Sequence, residues 1–138
     1  MASGGARPRV LDSSALVKYL AGEEGWERVA GLLEGSYTLD LAVVEAANAL
    51  ARRVRSARLS LEAAERALSS LLGGQHGLSV LSSRDFLARA LEISSREDVT
   101  VQDALFVAAA LGLGAELVTA DSRQAEVAAR LGVPVSVV

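Results

Sequence analysis

Short apolar runs alternate with stretches of helical periodicity along this chain. Each run is only a few residues long and is bounded by polar or turn-forming residues, which is typical of buried strands. We predict strands at residues 10–11, 37–39, 78–81, 117–119 and 135–138. Strands that alternate with helices predict right-handed crossovers and a mostly parallel sheet with both faces covered, which is an α/β fold.

The segments between these runs carry apolar residues at helical spacing. We predict helices from residue 13 to about 20, 26 to about 33, 40 to about 57, 60 to 72, from about 83 onward, 101 to 111 and 122 to 131. Asp40 is expected to cap its helix, and Gly132 to end the last one. Two helices have a predicted inner face, formed by Leu61, Ala64, Leu68, Leu71 and Leu72 in one and by Phe86, Leu87, Ala90 and Leu91 in the other.

Length and composition fit one domain with a sizeable core, because 51% of the 138 residues are hydrophobic. We assign residues 9–138 to this domain and residues 1–8 to a flexible leader that lacks the apolar segment of a signal peptide. The absence of cysteine excludes disulfides and thiolate metal sites and suits a cytoplasmic protein. No apolar stretch has the length of a membrane-spanning helix, so no membrane partner is expected.

Four carboxylates occupy positions where the surrounding sequence is apolar. Asp12 and Asp121 each follow a predicted strand, whereas Glu45 and Asp103 lie near the beginnings of predicted helices. In an open parallel sheet, the carboxyl ends of the strands and the beginnings of the helices meet at one edge, where ligands bind. If their strands are neighbours, Asp12 and Asp121 start about 5 Å apart. We therefore expect the four acids to converge.

Carboxylates that converge cannot all ionise without a compensating charge. A hard cation such as Mg²⁺ or Mn²⁺ supplies it, takes oxygen ligands and retains waters, one of which can attack a phosphodiester. The formal net charge of −3 does not exclude a nucleic-acid substrate, because bound cations would offset the site acids. An alternative stays open, in which Asp12 and Asp121 are only helix caps and Glu45 and Asp103 are paired surface acids.

Four segments together resemble PIN-domain nucleases, in particular the VapC-type toxin ribonucleases. They are residues 10–16 (VLDSSAL), 45–50 (EAANAL), 102–108 (QDALFVA) and 117–121 (LVTAD). Each segment alone is weak evidence for the family, but the order and spacing of the four segments together are quite specific. The resemblance extends from residue 10 to residue 138.

The resemblance implies a three-layer α/β/α fold with a five-stranded parallel sheet in the order 3-2-1-4-5. It implies cleavage of single-stranded or loop RNA with Mg²⁺ or Mn²⁺, with Asp12, Glu45, Asp103 and Asp121 as the acidic quartet. Ser14 and Thr119 match the hydroxyl positions beside the quartet. The family also implies a homodimer and inhibition by a small antitoxin protein.

Several polar residues on the helix that carries Glu45 are candidates for supporting roles. Asn48 and Arg52 follow Glu45 at helical spacing, so Asn48 can orient the carboxylate and Arg52 can hold a phosphate. Arg55 belongs to the same basic run, which is completed by Arg53 and Arg58 and could follow an RNA backbone. The run could equally be a solvated face or a contact for an acidic antitoxin segment.

Other functions compete with a toxin ribonuclease. A PIN nuclease that processes RNA without an antitoxin and a catalytically silent PIN binding module both fit the same segments. A phosphoacceptor receiver domain does not, because it needs an aspartate directly after its third strand, where this chain has Ser82 and Ser83 after Leu81.

Overall fold

The computed structural model describes residues 7–138. Within that range five parallel strands form one sheet in the order β3-β2-β1-β4-β5. The strands are β1 (Arg9–Leu11), β2 (Tyr37–Leu39), β3 (Ser79–Leu81), β4 (Glu116–Thr119) and β5 (Val135–Val137). The fold class and the strand order are confirmed. Of the predicted flexible leader, residues 1–6 lie outside the described residues.

Helices connect the strands in the order that the apolar periodicity predicted. They are α1 (Ser13–Leu20), α2 (Trp26–Ala30), α3 (Asp40–Arg55), α4 (Leu61–Leu72), α5 (Leu87–Arg96), α6 (Val101–Leu113) and α7 (Ser122–Arg130). A 3-10 helix, Ser83–Phe86, precedes α5. None of the helices between residues 7 and 138 has the length and apolarity needed to cross a membrane.

The helices cover both faces of the sheet. The connections from β1 to β2 and from β2 to β3 step along the sheet in one direction, and the later connections step in the other. Right-handed crossovers therefore place α1–α4 on one face and α5–α7 on the opposite face. In agreement, α1 packs against α2 and α3, and α5 packs against α6. The strand order reverses between β1 and β4, so a ligand cleft is expected beyond the carboxyl ends of these strands.

The core lies around β1, β4 and α6. Val10, Leu11, Leu117 and Val118 are fully buried in the two central strands. In α6 every residue from 104 to 110 is buried, as its all-round apolar sequence predicted. The residues at the ends of the central strands and of α6 are therefore attached to buried segments.

Three local predictions were wrong. Helix α2 ends at Ala30 rather than near Leu33, because the chain tightens into a turn in which the Leu32 amide donates to the Val29 carbonyl. Asp40 does not cap α3, since its carboxylate instead accepts from the Leu41 amide and from the Ser83 amide. The segment that begins at Ser83 starts as a 3-10 helix and becomes α-helical only at Leu87.

The predicted inner faces of α4 and α5 were too wide. Leu61 and Leu72, at the two ends of α4, are 60% and 63% exposed. In α5, Leu87 and Leu91 are also exposed, whereas Ala90 and the unpredicted Ile93 are buried. Each helix therefore buries a narrow stripe and leaves large apolar side chains at the surface.

Candidate active site

Asp12 and Asp121 lie side by side at the carboxyl edge of the sheet. Strands β1 and β4 are paired in register, with Leu11 opposite Val118. The Asp12 amide continues this ladder by donating to the Val118 carbonyl at 3.0 Å. Because each aspartate follows its strand directly or within two residues, the pairing of the strands brings their side chains to one place.

A cavity of about 260 Å³ opens at this edge and contains all four predicted acids. Asp12 and Asp121 come from the strand ends, Glu45 from α3 and Asp103 from the first turn of α6. The other lining residues are Ser13, Ser14, Val17 and Phe106. The lining includes no Lys, Arg or His, so the cavity has a concentrated negative charge.

Asp12 is the most constrained of the four acids. Its side chain is only 4% exposed, and both carboxylate oxygens accept hydrogen bonds. Oδ1 accepts from the Ser14 hydroxyl at 2.6 Å and from the Ala15 amide at 3.0 Å, and Oδ2 accepts from the Thr119 hydroxyl at 2.6 Å. The Ala15 bond is the N-cap of α1. The carboxylate is therefore held in one orientation.

Burial raises the pKa of the Asp12 carboxyl above its ordinary value. The hydrogen bonds from Ser14, Thr119 and Ala15 act in the opposite direction, and the nearby charge of Asp121 adds to the rise. Desolvation and a like charge both disfavour the ionised form. A positive charge in the cavity would relieve both effects.

Two hydroxyl groups join α1 to the end of β4. The Ser14 hydroxyl lies 3.2 Å from that of Thr119 and accepts from the Ala120 amide at 2.8 Å. The Thr119 hydroxyl accepts from the Asp121 amide at 3.0 Å. Ser14 and Thr119 thus contact both Asp12 and the backbone that carries Asp121. This placement agrees with the supporting role that was predicted for them, which stays a prediction.

The other three acids are more open to solvent. Asp121 caps α7 by accepting from the Arg123 amide at 2.9 Å, and it is exposed. Asp103 is exposed in the first turn of α6, and Glu45 is partly exposed. Within residues 7–138 none of the four carboxylates forms an ion pair with an arginine or lysine. The alternative of paired surface acids is therefore not supported, although Asp12 and Asp121 do act as helix caps.

Gln124 contacts the site through the backbone of Asp103 and was not among the predicted residues. It is 3% exposed, and its Nε2 donates to the Asp103 carbonyl at 2.8 Å, which ties α7 to the first turn of α6. Its Oε1 is buried without a hydrogen-bond partner in the described part of the chain. Gln124 shares the inner face of α7 with Val127 and Ala128. A polar residue at a helical position that is otherwise apolar was therefore the sequence feature that could have identified it.

Three candidates on α3 lie outside the acidic cavity. Asn48, Arg52 and Arg55 are exposed, and none of them lines it. Arg55 instead borders a separate groove between α3 and α4. Their roles in orienting Glu45 or binding substrate stay predictions.

The donor set fits a hard divalent cation. Among residues 7–138 no three acidic or histidine side chains form a ready-made metal site. Mg²⁺ does not require one, since it commonly keeps several waters and binds through one or two carboxylates plus substrate phosphates. The cavity offers only oxygen ligands, one of them on a buried aspartate whose ionisation a cation would favour. The residues present therefore suit Mg²⁺ or Mn²⁺.

Comparison with known proteins agrees with this geometry. The sequence matches the PIN domain family over residues 9–130. It is 34% identical over 120 residues to "Ribonuclease VapC3" of Pyrobaculum aerophilum, which covers 85% of this chain and 92% of that protein. The crystal structure of PAE2754 from Pyrobaculum aerophilum superposes with a TM-score of 0.65 at 28% identity, covering 88% of this chain and 86% of that one. The chain therefore belongs to the PIN domain family and is of the VapC type.

Proposed function

We propose that this protein is a metal-dependent endoribonuclease and the toxin component of a VapBC-type toxin–antitoxin pair, acting in the cytoplasm. The observation that carries the proposal is the single cavity in which Asp12, Glu45, Asp103 and Asp121 meet without a basic residue. The similarity to a protein named Ribonuclease VapC3 supports RNA as the substrate. A hydrolase of phosphodiesters needs a means of offsetting phosphate charge, and a set of oxygen ligands for Mg²⁺ or Mn²⁺ provides it.

In this proposal the four acids would hold the cation. When bound, Mg²⁺ or Mn²⁺ supplies positive charge beside the phosphate and makes a coordinated water more acidic. Asp12 is oriented by Ser14 and Thr119, so its oxygens keep a fixed direction within the cavity. The cavity lining has no His, Cys or Lys, so one of the more exposed carboxylates accepts the proton of the attacking water.

Supporting and substrate-binding roles are assigned to the polar side chains that follow Glu45 on α3. Asn48 orients the Glu45 carboxylate, and Arg52 and Arg55 hold phosphates of the RNA backbone. All three side chains are exposed, as a contact with a polymeric substrate requires. The substrate is single-stranded or loop RNA, because the backbone of such RNA can enter a site at the edge of the sheet without unpairing a duplex.

The test is cleavage of an unstructured RNA in the presence of Mg²⁺ or Mn²⁺. The wild-type protein is expected to cleave it, and EDTA or the change Asp12→Asn is expected to abolish cleavage. Asp85→Asn is the matched control, since Asp85 is an exposed acid in the 3-10 helix away from the cavity. Cleavage that persists in Asp12→Asn or in EDTA would contradict the proposal.

A catalytically silent binding module is the second candidate. Such a module needs no bound cation, and among residues 7–138 no three acidic or histidine side chains form a ready-made metal site. Titration with Mn²⁺ distinguishes the two candidates, because the nuclease should bind the ion and lose that binding on Asp12→Asn. Co-purification of a small protein encoded beside this one would support the toxin assignment over an RNA-processing enzyme without an antitoxin.

We also propose that the protein is a homodimer. The large apolar side chains of Val44 on α3 and of Leu91 and Leu87 on α5 are 66%, 65% and 46% exposed. The contact of Asp40 with Ser83 holds the beginnings of these two segments together. Light scattering should give a dimer for the wild type and a monomer for Leu91→Glu. A wild-type monomer at micromolar concentration would contradict this proposal.

A further inference from the structure

A second cavity, larger than the acidic one, is separate from it. Its volume is about 670 Å³, and it lies where the end of α1, the beginning of α2, the corner between α3 and α4 and the loop after α4 come together. We call it the arginine–aromatic pocket, after the side chains that characterise its lining: Tyr19, Trp26, His76, Arg53, Arg58 and Arg66. No acidic residue is part of that lining.

The aromatic side of the pocket is organised by Tyr19. Its ring centroid lies 5.5 Å from that of His76 in an edge-on arrangement and 6.2 Å from that of Trp26 at an angle of 53°. The Tyr19 hydroxyl is 3.3 Å from His76 Nδ1. Trp26 is nevertheless 41% exposed. A large indole at the surface, supported by a second ring, offers a stacking face for a planar ligand.

The basic side consists of Arg53, Arg58 and Arg66. Between residues 7 and 138 none of these guanidinium groups forms a salt bridge with a carboxylate. Arg58 and Arg66 are exposed, and Arg53 is partly exposed. Unpaired arginines beside aromatic faces suit a ligand that is both anionic and planar, and single-stranded nucleic acid has both properties in every nucleotide. An acidic peptide would use the arginines but would leave the aromatic rings without a stacking partner.

The pocket lies on the same two helices as the acidic cavity. Val17 of α1 lines the acidic cavity, and Tyr19 and Leu20 of the same helix line the pocket. On α3, Glu45 and Arg53 are eight residues apart, which corresponds to about 12 Å along the helix axis. Helices α1 and α3 also pack against each other. A single-stranded RNA bound at the four acidic residues can therefore reach the pocket within a few nucleotides.

From this arrangement we infer that the arginine–aromatic pocket binds single-stranded RNA beside the bond to be cut, stacking a base on Trp26 and Tyr19 and holding phosphates with Arg53, Arg58 and Arg66. The inference rests on the proposed function, because it takes RNA as the ligand. It adds a subsite that acts on affinity and on the choice of flanking sequence rather than on the chemical step.

Trp26 provides a direct signal for the test, because it is the only tryptophan of the chain. Its fluorescence is titrated with an oligouridylate of about 12 nucleotides, a length within the usual range of single-strand sites. The Asp12→Asn protein serves as the background, so that the RNA stays intact. We compare Arg58→Gln/Arg66→Gln with the control Arg84→Gln/Arg89→Gln. The control removes the same charge from exposed arginines elsewhere on the surface.

RNA should quench Trp26 in the background protein. The pocket variant should bind about tenfold more weakly, the loss expected when charge-assisted contacts are removed. Its plot of log affinity against log salt should be shallower by about 1.4, since two phosphate contacts are lost from a single strand. The control variant should keep both the affinity and the slope of the background protein.

Two results would overturn the inference. One is an equal affinity and salt slope in the pocket and control variants. The other is a Trp26 signal that responds to polyglutamate but not to RNA, which would assign the pocket to an acidic protein partner. Cleavage is not the readout, so failure here is distinguishable from failure of the proposed nuclease activity. An active enzyme can fail this test, and an inactive protein can pass it.

Discussion

The carboxyl ends of β1 and β2 each carry an aspartate, and the two side chains have opposite properties. Asp12 and Asp40 both directly follow a strand, and both accept a hydrogen bond from a serine hydroxyl. The pKa of Asp12 is raised, chiefly by burial, whereas the bond from Ser83 lowers the pKa of the exposed Asp40. A position directly after a strand is thus not enough to make an aspartate part of the candidate active site. Burial beside Asp121 is what distinguishes Asp12.

The same contrast holds for the threonines of the two regions. Thr38 on β2 and Thr119 on β4 are both fully buried. The Thr38 hydroxyl donates to the Leu11 carbonyl at 2.8 Å, which is a structural bond between strands. The Thr119 hydroxyl donates to the Asp12 carboxylate. One residue type at equivalent burial therefore supports the sheet in one place and the candidate active site in the other.

The largest expected effect is the loss of activity on Asp12→Asn. We expect RNA cleavage to fall about a thousandfold or more, as when a central electrostatic group of an active site is removed. The metal-free variant should nevertheless be more stable to unfolding, by about 1 kcal/mol, because burial and the charge of Asp121 disfavour the ionised carboxylate that the change removes. Urea unfolding and a cleavage assay measure the two effects. Asp40→Asn should leave cleavage unchanged, and a comparable loss in that variant would remove the contrast between the two aspartates.

The next effect separates Thr119 from Thr38. Thr119→Val should reduce cleavage about 10- to 100-fold, the usual cost of removing a group that orients a metal-binding side chain. Each of Thr119→Val and Thr38→Val should lower the free energy of unfolding by about 1–3 kcal/mol, since each removes a buried donor. Similar activity in the two variants would show that the Thr119 hydroxyl has only a structural role.

A smaller effect is expected at Gln124, which contacts the site through the backbone of Asp103. Gln124→Met removes the donor to that carbonyl and also the unpartnered Oε1, so stability should change by less than about 1 kcal/mol. Affinity for Mn²⁺ and cleavage should fall about tenfold as the first turn of α6 loosens. Gln102→Met is the control on the exposed side of α6. An equal response of both variants would exclude a positioning role for Gln124.

The smallest effect is the pH dependence of stability, for which the two aspartates have opposite signs. A raised pKa means that the folded metal-free protein loses stability through Asp12 as the pH rises from the ordinary aspartate value of about 3.9. A lowered pKa means that Asp40 contributes stability above that value and loses it as the pH falls below. Relative to Asp12→Asn the wild type should weaken with rising pH. Relative to Asp40→Asn it should strengthen, by at most about 0.5 kcal/mol because Asp40 is exposed.

Much of the fold was predictable from local patterns. The strands and the buried helix α6 followed from short apolar runs and from all-round apolarity, both of which are properties of adjacent residues. The end of α2 was not predictable, because the turn at Leu32 depends on competing short-range hydrogen bonds. Nor was the exposure of Leu87 and Leu91, since the helical spacing of apolar residues does not specify how wide a stripe the neighbouring helix covers.

For the site, the chain by itself determined which residues are chemically suited to bind a cation, and their positions after strands and near helix beginnings predicted that they converge. The resemblance added the hydroxyls beside them. Only the tertiary structure decided that Asp12 is buried while Asp121 and Asp103 are open, and that Gln124 reaches the backbone of Asp103. It also brought Trp26, Arg66 and His76 into one pocket. These features depend on contacts between residues far apart in sequence, which no local pattern encodes, because burial is a property of the packed chain.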